Sequence, residues 1–223
     1  MTLLNNQVYE YLLNIQVKAL NSDILIVLLC SGLVSKPDHK KDFQFLASRH
    51  LESFATNEEK SKWAKIMRSA ITKSLIFQGF PTCIHKIINA SSDLYEILTP
   101  EVKAILKTEV DIYYRNDTTM EELYEKGYGV FKNVYKERSN SVATYMTEQN
   151  HDLFNHCLYM YAVVIGNYTH LSVLETHYVM VLNLLLKETN VQLENHLKNF
   201  IDLGGTEEEL KDINTIVEAI KAL

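Results

Sequence analysis

The sequence predicts an all-α fold, and three observations carry that expectation. Apolar residues recur at i, i+3 and i+4 along most of the chain, while the period-two alternation of a half-buried strand is absent over any useful length. The chain also holds only seven Gly and three Pro in 223 residues, too few for the turns of an all-β protein of this size. The expected architecture is a bundle of about ten to twelve helices around a core of its own, in one large domain or two small ones.

Taken in order, Val8, Tyr11, Leu12 and Ile15 mark a first amphipathic helix, and Ile24, Leu25, Leu28 and Leu29 a second. The apolar run from Ile24 to Val34 is shorter than the roughly 20 residues a membrane span needs, so it reads as a buried helix. Lys36 to Lys41, with Pro37, reads as a loop. Phe43, Leu46, Ala47, His50, Leu51 and Phe54 follow at helical spacing. Thr56-Asn57-Glu58-Glu59 has the form of a capping box and opens a long helix through Trp63, Ile66, Met67 and Ile71. Gly79-Phe80-Pro81 interrupts it, because proline donates nothing to the helical ladder. Helical pattern resumes from Ile84 to Ala90. Ser91 to Asp117, with Pro100 and a polar Arg115-Asn116-Asp117, is the expected connector. Thr118-Thr119-Met120-Glu121-Glu122 starts another helix. Further helices are expected over 151–166, 173–187, 190–203 and 206–222, the last opened by a Thr206/Glu209 capping box.

An internal echo runs through this pattern. His50-Leu51-Glu52-Ser53-Phe54 before Thr56-Asn57-Glu58-Glu59 resembles His196-Leu197-Lys198-Asn199-Phe200 before Thr206-Glu207-Glu208-Glu209. Each copy is an apolar helix bearing histidine, a break, then a capped helix; in the second, Gly204-Gly205 supplies the stop. The expected organisation is a degenerate first repeat over 1–112 and a second over 113–223, packed separately or as one domain.

Composition excludes several function classes. A net charge of −6 spread along the chain lacks the clustered basic surface that a phosphate backbone demands, so no nucleic-acid partner is expected. Cys30, Cys83 and Cys157 stand far apart, with neither CxxC nor metal spacing, as free thiols in a reducing compartment do. Met1 to Gln16 carries no Lys or Arg, against a signal peptide or presequence. The last three residues, Lys221-Ala222-Leu223, share only the leucine of a Ser-Lys-Leu peroxisomal signal. The expectation is a cytoplasmic protein, with peroxisome and mitochondrion left open, and no membrane partner. The eight histidines form no HExxH and no zinc-type cluster, and there is no phosphate loop, nucleophile elbow or dinucleotide fingerprint. Neither metal nor cofactor is expected.

The remaining chemistry lies in the last part of the chain. His196 sits among Leu193, Leu197 and Phe200, where it reads either as a general acid/base or as a core histidine bonded to backbone. Glu175, one expected helix upstream, is either its proton-transfer partner or a first-turn carboxylate favoured by the helix dipole. His50, the echo of His196, and Gln192 join Tyr161, Tyr168 and Tyr178 as candidate substrate contacts. The duller reading of the 13 tyrosines is filling of helix–helix interfaces.

In order and spacing, Phe77-Gln78-Gly79-Phe80-Pro81, Val134-Tyr135, His151-Asp152-Leu153, Tyr161-Ala162, Glu175, Gln192-Leu193-Glu194-Asn195-His196-Leu197 and Gly205-Thr206-Glu207-Glu208-Glu209 resemble the carboxymuconolactone decarboxylase family of the alkylhydroperoxidase D-like superfamily. That resemblance implies the superfamily's helical fold, a homo-oligomer, and acid–base chemistry by His196 and Glu175 on a small carboxylate or lactone. The CxxC pair of the superfamily's peroxidases falls here at about Thr189 and Gln192, neither of which supports thiol redox chemistry. The family's His-Pro and Tyr-Gly points have become His151-Asp152 and Tyr161-Ala162. The competing expectation is therefore a catalytically inactive helical binding or scaffolding module that keeps the fold.

Overall fold

The computed structural model describes residues 17–36, 39–78, 80–108 and 118–222, and among these there is helix and no strand. The helices are α1 (Ser22–Leu33), α2 (Lys40–Glu52), α3 (Asn57–Gln78), α4 (Phe80–Ile97), α5 (Pro100–Thr108), α6 (Met120–Tyr135), α7 (Ser139–Met160), α8 (Val173–Lys187), α9 (Asn190–Asp202) and α10 (Glu207–Ala222). A 3₁₀ turn (Lys136–Arg138) precedes α7 and a π-helical turn (Tyr161–Ile165) follows it. The first amphipathic helix expected over Val8 to Ile15 lies outside the described residues.

Local chemistry explains the helix starts. Thr56 and Glu59, Thr119 and Glu122, Ser172 and Glu175, and Thr206 and Glu209 each close a reciprocal capping box. Helix α9 ends where Gly204 takes φ 92° and the Gly205 N–H reaches back to the Phe200 carbonyl at 3.0 Å, the left-handed stop expected of Gly204-Gly205. One boundary expectation needs correction: residues 91–97 continue α4, and Pro100 opens α5 instead of marking a connector. Proline is tolerated at the first helical position, where its missing N–H has no partner to lose.

Helix α1 is the spine of the main core, buried from Ile24 to Leu33 and packed by α2, α3, α8 and α10. This core takes Trp63, Met67 and Ile71 from α3, Val179 and Leu182 from α8 and Ile213 and Ile216 from α10, so it crosses the 112/113 boundary expected between repeats. Asp212, buried on α10, accepts from the Ala19 and Leu20 N–H groups at 2.8 and 3.2 Å and pins the chain entering α1.

A second cluster joins α6 to α7 around Phe131, Phe154 and Leu158, with Tyr124, Tyr128 and Tyr135 packed against it. The tyrosines of α6 thus do fill a helix–helix interface. Close approach of these helices depends on Gly127: a Cβ there would stand 2.0 Å from the Leu158 carbonyl oxygen. Helix α7 bends at Asn150 (φ −160°, ψ 90°), whose Oδ1 accepts from the Leu153 N–H at 2.9 Å and so caps the second segment. At the far end, Lys73 from α3, 1% exposed, donates from Nζ to the carbonyls of Val164 (2.8 Å), Ile165 (3.0 Å) and Asn167 (2.7 Å). A buried ammonium therefore satisfies the carbonyls left open where the π-turn ends.

Candidate functional site

The bend at Asn150, the π-turn and the packing of α3 and α8 leave a cavity of about 590 Å³, within the range that encloses small-molecule ligands. Ile76 and Phe77 of α3, Leu153, Cys157 and Met160 of α7, Tyr161 and Ile165 of the π-turn and Met180 of α8 form most of its wall. His196 of α9 supplies the inner polar group, and Tyr159 and the exposed His156 complete the lining. Among the described residues, no Lys, Arg, Asp or Glu lines it. Leu153 is 55% exposed, so one wall of the cavity reaches the protein surface.

His196 is 3% exposed and its Nδ1 has no hydrogen-bond partner. Burial, together with the neighbouring His177, pushes its imidazolium down to about 3, so the ring is neutral at physiological pH. His177 lies with its ring centroid 6.1 Å away. Its Nδ1 is 2.9 Å from the Val173 carbonyl and its Nε2 is 2.7 Å from Asn199 Nδ2. A ring protonated at Nδ1 donates to the carbonyl and accepts from the amide, so the neutral tautomer of His177 is fully satisfied. Burial lowers its pKa as well. Thr176 Oγ1 and Asn199 Oδ1, on the same two helices, are buried without partners.

These imidazoles make stability depend on pH with a definite sign. The folded-state pKa of His196 lies below the unfolded value of about 6.5, so in acid the unfolded chain binds the proton first. The stability present above about pH 6.5 is lost as pH falls toward the folded value of about 3. His196 alone is expected to cost roughly 2 kcal/mol at pH 5 relative to pH 7.5. Calorimetric melting at the two pH values checks this, and His196→Phe should shrink the difference.

Of the residues expected at the site, His196 and Tyr161 meet in the cavity. The Tyr161 phenol is held well above its usual pKa by burial and by Tyr135, with which it is hydrogen-bonded. Cys157 faces the same space, but burial raises its thiol pKa, which keeps it from acting as a thiolate nucleophile. The others lie elsewhere. Glu175 closes the capping box of α8 with Ser172 and borders a different hollow with Asp23, Glu59, Lys62 and Trp63. Tyr178 donates to Glu209 Oε1 at 2.7 Å and packs on Phe200. Tyr168 lies over Lys73, its ring centroid 5.6 Å from Nζ. Gln192 is exposed. His50 pairs with Asp23 at 2.9 Å between the rings of Phe54 and Trp63.

His177, not Glu175, is the residue that α8 turns toward His196. Two residues along a helix rotate the side chain by about 200°, so one helix cannot present both positions to the same neighbour. The signal available in the sequence was the phase of α8: Val173, His177 and Met180 share a stripe that omits Glu175. Lys73 carried a similar signal, as a lysine on the stripe of Ala70 and Ser74. Among the described residues no cluster of three or more His, Cys, Asp or Glu is placed to hold a metal ion.

Comparison with known proteins adds one similarity. The chain is 25% identical over 151 residues to a Schizosaccharomyces pombe protein described as "Peroxisomal protein 2", a match covering 67% of this chain and 66% of that protein. No family model matches the chain. No solved structure matches it either. Among the described residues, no helix is long and apolar enough to cross a membrane.

Proposed function

We propose that this protein is a helical binding module that encloses a small, largely apolar molecule in the cavity beside His196. The observation that carries this reading is the wall itself: about 590 Å³ lined mainly by aliphatic, aromatic and sulfur-bearing side chains, with no Lys, Arg, Asp or Glu among the described residues. A decarboxylase acting on a carboxylate needs a cation or a dense set of donors to hold that carboxylate, and a carboxylate or comparable base set against the imidazole. Here Glu175 accepts at the head of α8, and His196 is too weak a base to share a proton near neutrality. Descent from the carboxymuconolactone decarboxylase family, the superfamily's specific fold and a homo-oligomeric state remain part of the proposal, supported by the ordered motifs in the sequence. A peroxisomal setting is supported by the description of the S. pombe protein, and co-localisation of tagged protein with a peroxisomal marker tests it.

The test of binding is titration with an apolar fluorescent probe such as Nile red. Wild-type protein is expected to take up one probe per chain, and Met160→Trp, which fills the cavity from a half-buried wall position, to weaken uptake at least tenfold. Equal uptake by a folded Met160→Trp protein would place the probe elsewhere and remove the support for this reading. Incubation with the bound molecule is expected to return it chemically unchanged by mass spectrometry; its conversion by wild type but not His196→Ala would restore the enzymatic alternative.

A further inference from the structure

The chemistry of the cavity narrows its occupant. We propose that the molecule held beside His196 is an uncharged alkyl chain ending in a single hydroxyl group, which hydrogen-bonds the His196 imidazole. This rests on the binding-module reading and extends it from a cavity to a ligand class.

Three observations carry the inference. First, among the described residues the wall offers no ammonium, guanidinium or carboxylate, so a charged head group would be stripped of water with none of these to pair it. Second, the inner polar group is unpaired: His196 lines the cavity at 3% exposure and, among the described residues, no hydrogen bond engages its ring, whose Nδ1 is itself sealed from the space. Buried polar atoms are rarely left so, and an orphan beside an empty space points to a group that fills it. A hydroxyl suits either neutral tautomer, because it both donates and accepts, whereas an amine or acid would carry charge at neutral pH. The Tyr161 phenol is already engaged by Tyr135, and a thiol such as Cys157 is a poor hydrogen-bonding partner. Of the remaining polar lining, His156 is exposed and Tyr159 half-buried, so His196 is the polar anchor at the buried end of the cavity. Third, the size fits: at on the order of 30 Å³ for a water-sized group, 590 Å³ has room for about twenty such groups. A chain of ten or more carbons with its hydroxyl fits within that limit.

The experiment is displacement of the bound fluorescent probe from the intact protein at pH 7.5 by four molecules sharing one tail: 1-decanol, 1-chlorodecane, decanoate and decylamine. 1-Chlorodecane keeps the length of the alcohol and lacks a hydroxyl. Decanol is expected to bind about five- to tenfold more tightly than chlorodecane, the worth of one buried hydrogen bond, and at least tenfold more tightly than either charged molecule. In His196→Leu the preference for decanol over chlorodecane should vanish, with chlorodecane binding retained. His196→Phe, which keeps a ring at the position, is the second variant should leucine not fold. Equal binding of decanol and chlorodecane by wild type, or tightest binding of decanoate, would overturn the head-group assignment while leaving cavity binding intact. Failure of every tail to displace the probe would instead count against the binding-module reading itself.

Discussion

Gly127→Ala is expected to destabilise the protein by about 3 kcal/mol or more, the range of overpacked interiors, which lowers the melting temperature by roughly 6–12 °C for a chain of this length. The new Cβ would stand 2.0 Å from the Leu158 carbonyl oxygen, 2.7 Å from its carbonyl carbon and 3.2 Å from its Cα. All three are backbone atoms, so no side-chain rotation relieves the contact and α6 must part from α7. Alanine's higher helix propensity returns only about 1 kcal/mol, so the clash wins. The neighbouring Gly129 provides the control: a Cβ there meets nothing within 4 Å. Gly129→Ala is expected to stabilise by up to about 1 kcal/mol, and calorimetry on the pair reads both signs. Because Cys157, Met160 and Tyr161 flank Leu158, Gly127→Ala should also weaken probe binding in the cavity. Unchanged melting of Gly127→Ala would mean that the helices are not held at this distance.

Lys73→Ala is expected to cost about 3 kcal/mol net. Two effects oppose one another. Burial and the Lys126 ammonium pull the Lys73 ammonium down to about 7, and alanine relieves that desolvation. Against this, the carbonyls of Val164, Ile165 and Asn167, at 2.7–3.0 Å from Nζ, lose their donor at roughly 1 kcal/mol or more each. The buried stem also leaves a void, at about 0.8 kcal/mol per methylene lost before any cavity term. The helix end, with its negative partial charge, favours a cation and tips the balance further. Urea unfolding should show a lower midpoint with an unchanged slope. The same variant should loosen the π-turn that carries Tyr161 and Ile165, and so reduce probe affinity. A midpoint equal to wild type would show the desolvation relief to match the lost hydrogen bonds.

These two predictions involve features of very different legibility. Gly127 in the sequence is one of several helical glycines, and only its partner across the helix interface distinguishes it from Gly129. Lys73 reads as a solvated lysine unless its place on the stripe of Ala70 and Ser74 is weighed. The capping boxes at Thr56 and Thr206, by contrast, are contained within four consecutive residues each and form as the sequence foretells. The boundary at Pro100 misled because proline interrupts a helix interior yet suits a first turn, and which applies depends on the residues that follow.

The candidate site divides along the same line. The sequence by itself determined the helical class, most helix boundaries, the burial of Ile24 to Leu33 and the apolar surroundings of His196, since hydrophobic periodicity and caps are local and act within a few residues. Only the tertiary structure decided that Glu175 closes its own helix, that His177 and Asn199 stand beside His196, and that Lys73 reaches across to end the π-turn. Those outcomes depend on the rotation of one helix against another and on a bend at Asn150. Such angles are set by the sum of many weak packing contacts between residues far apart in the chain.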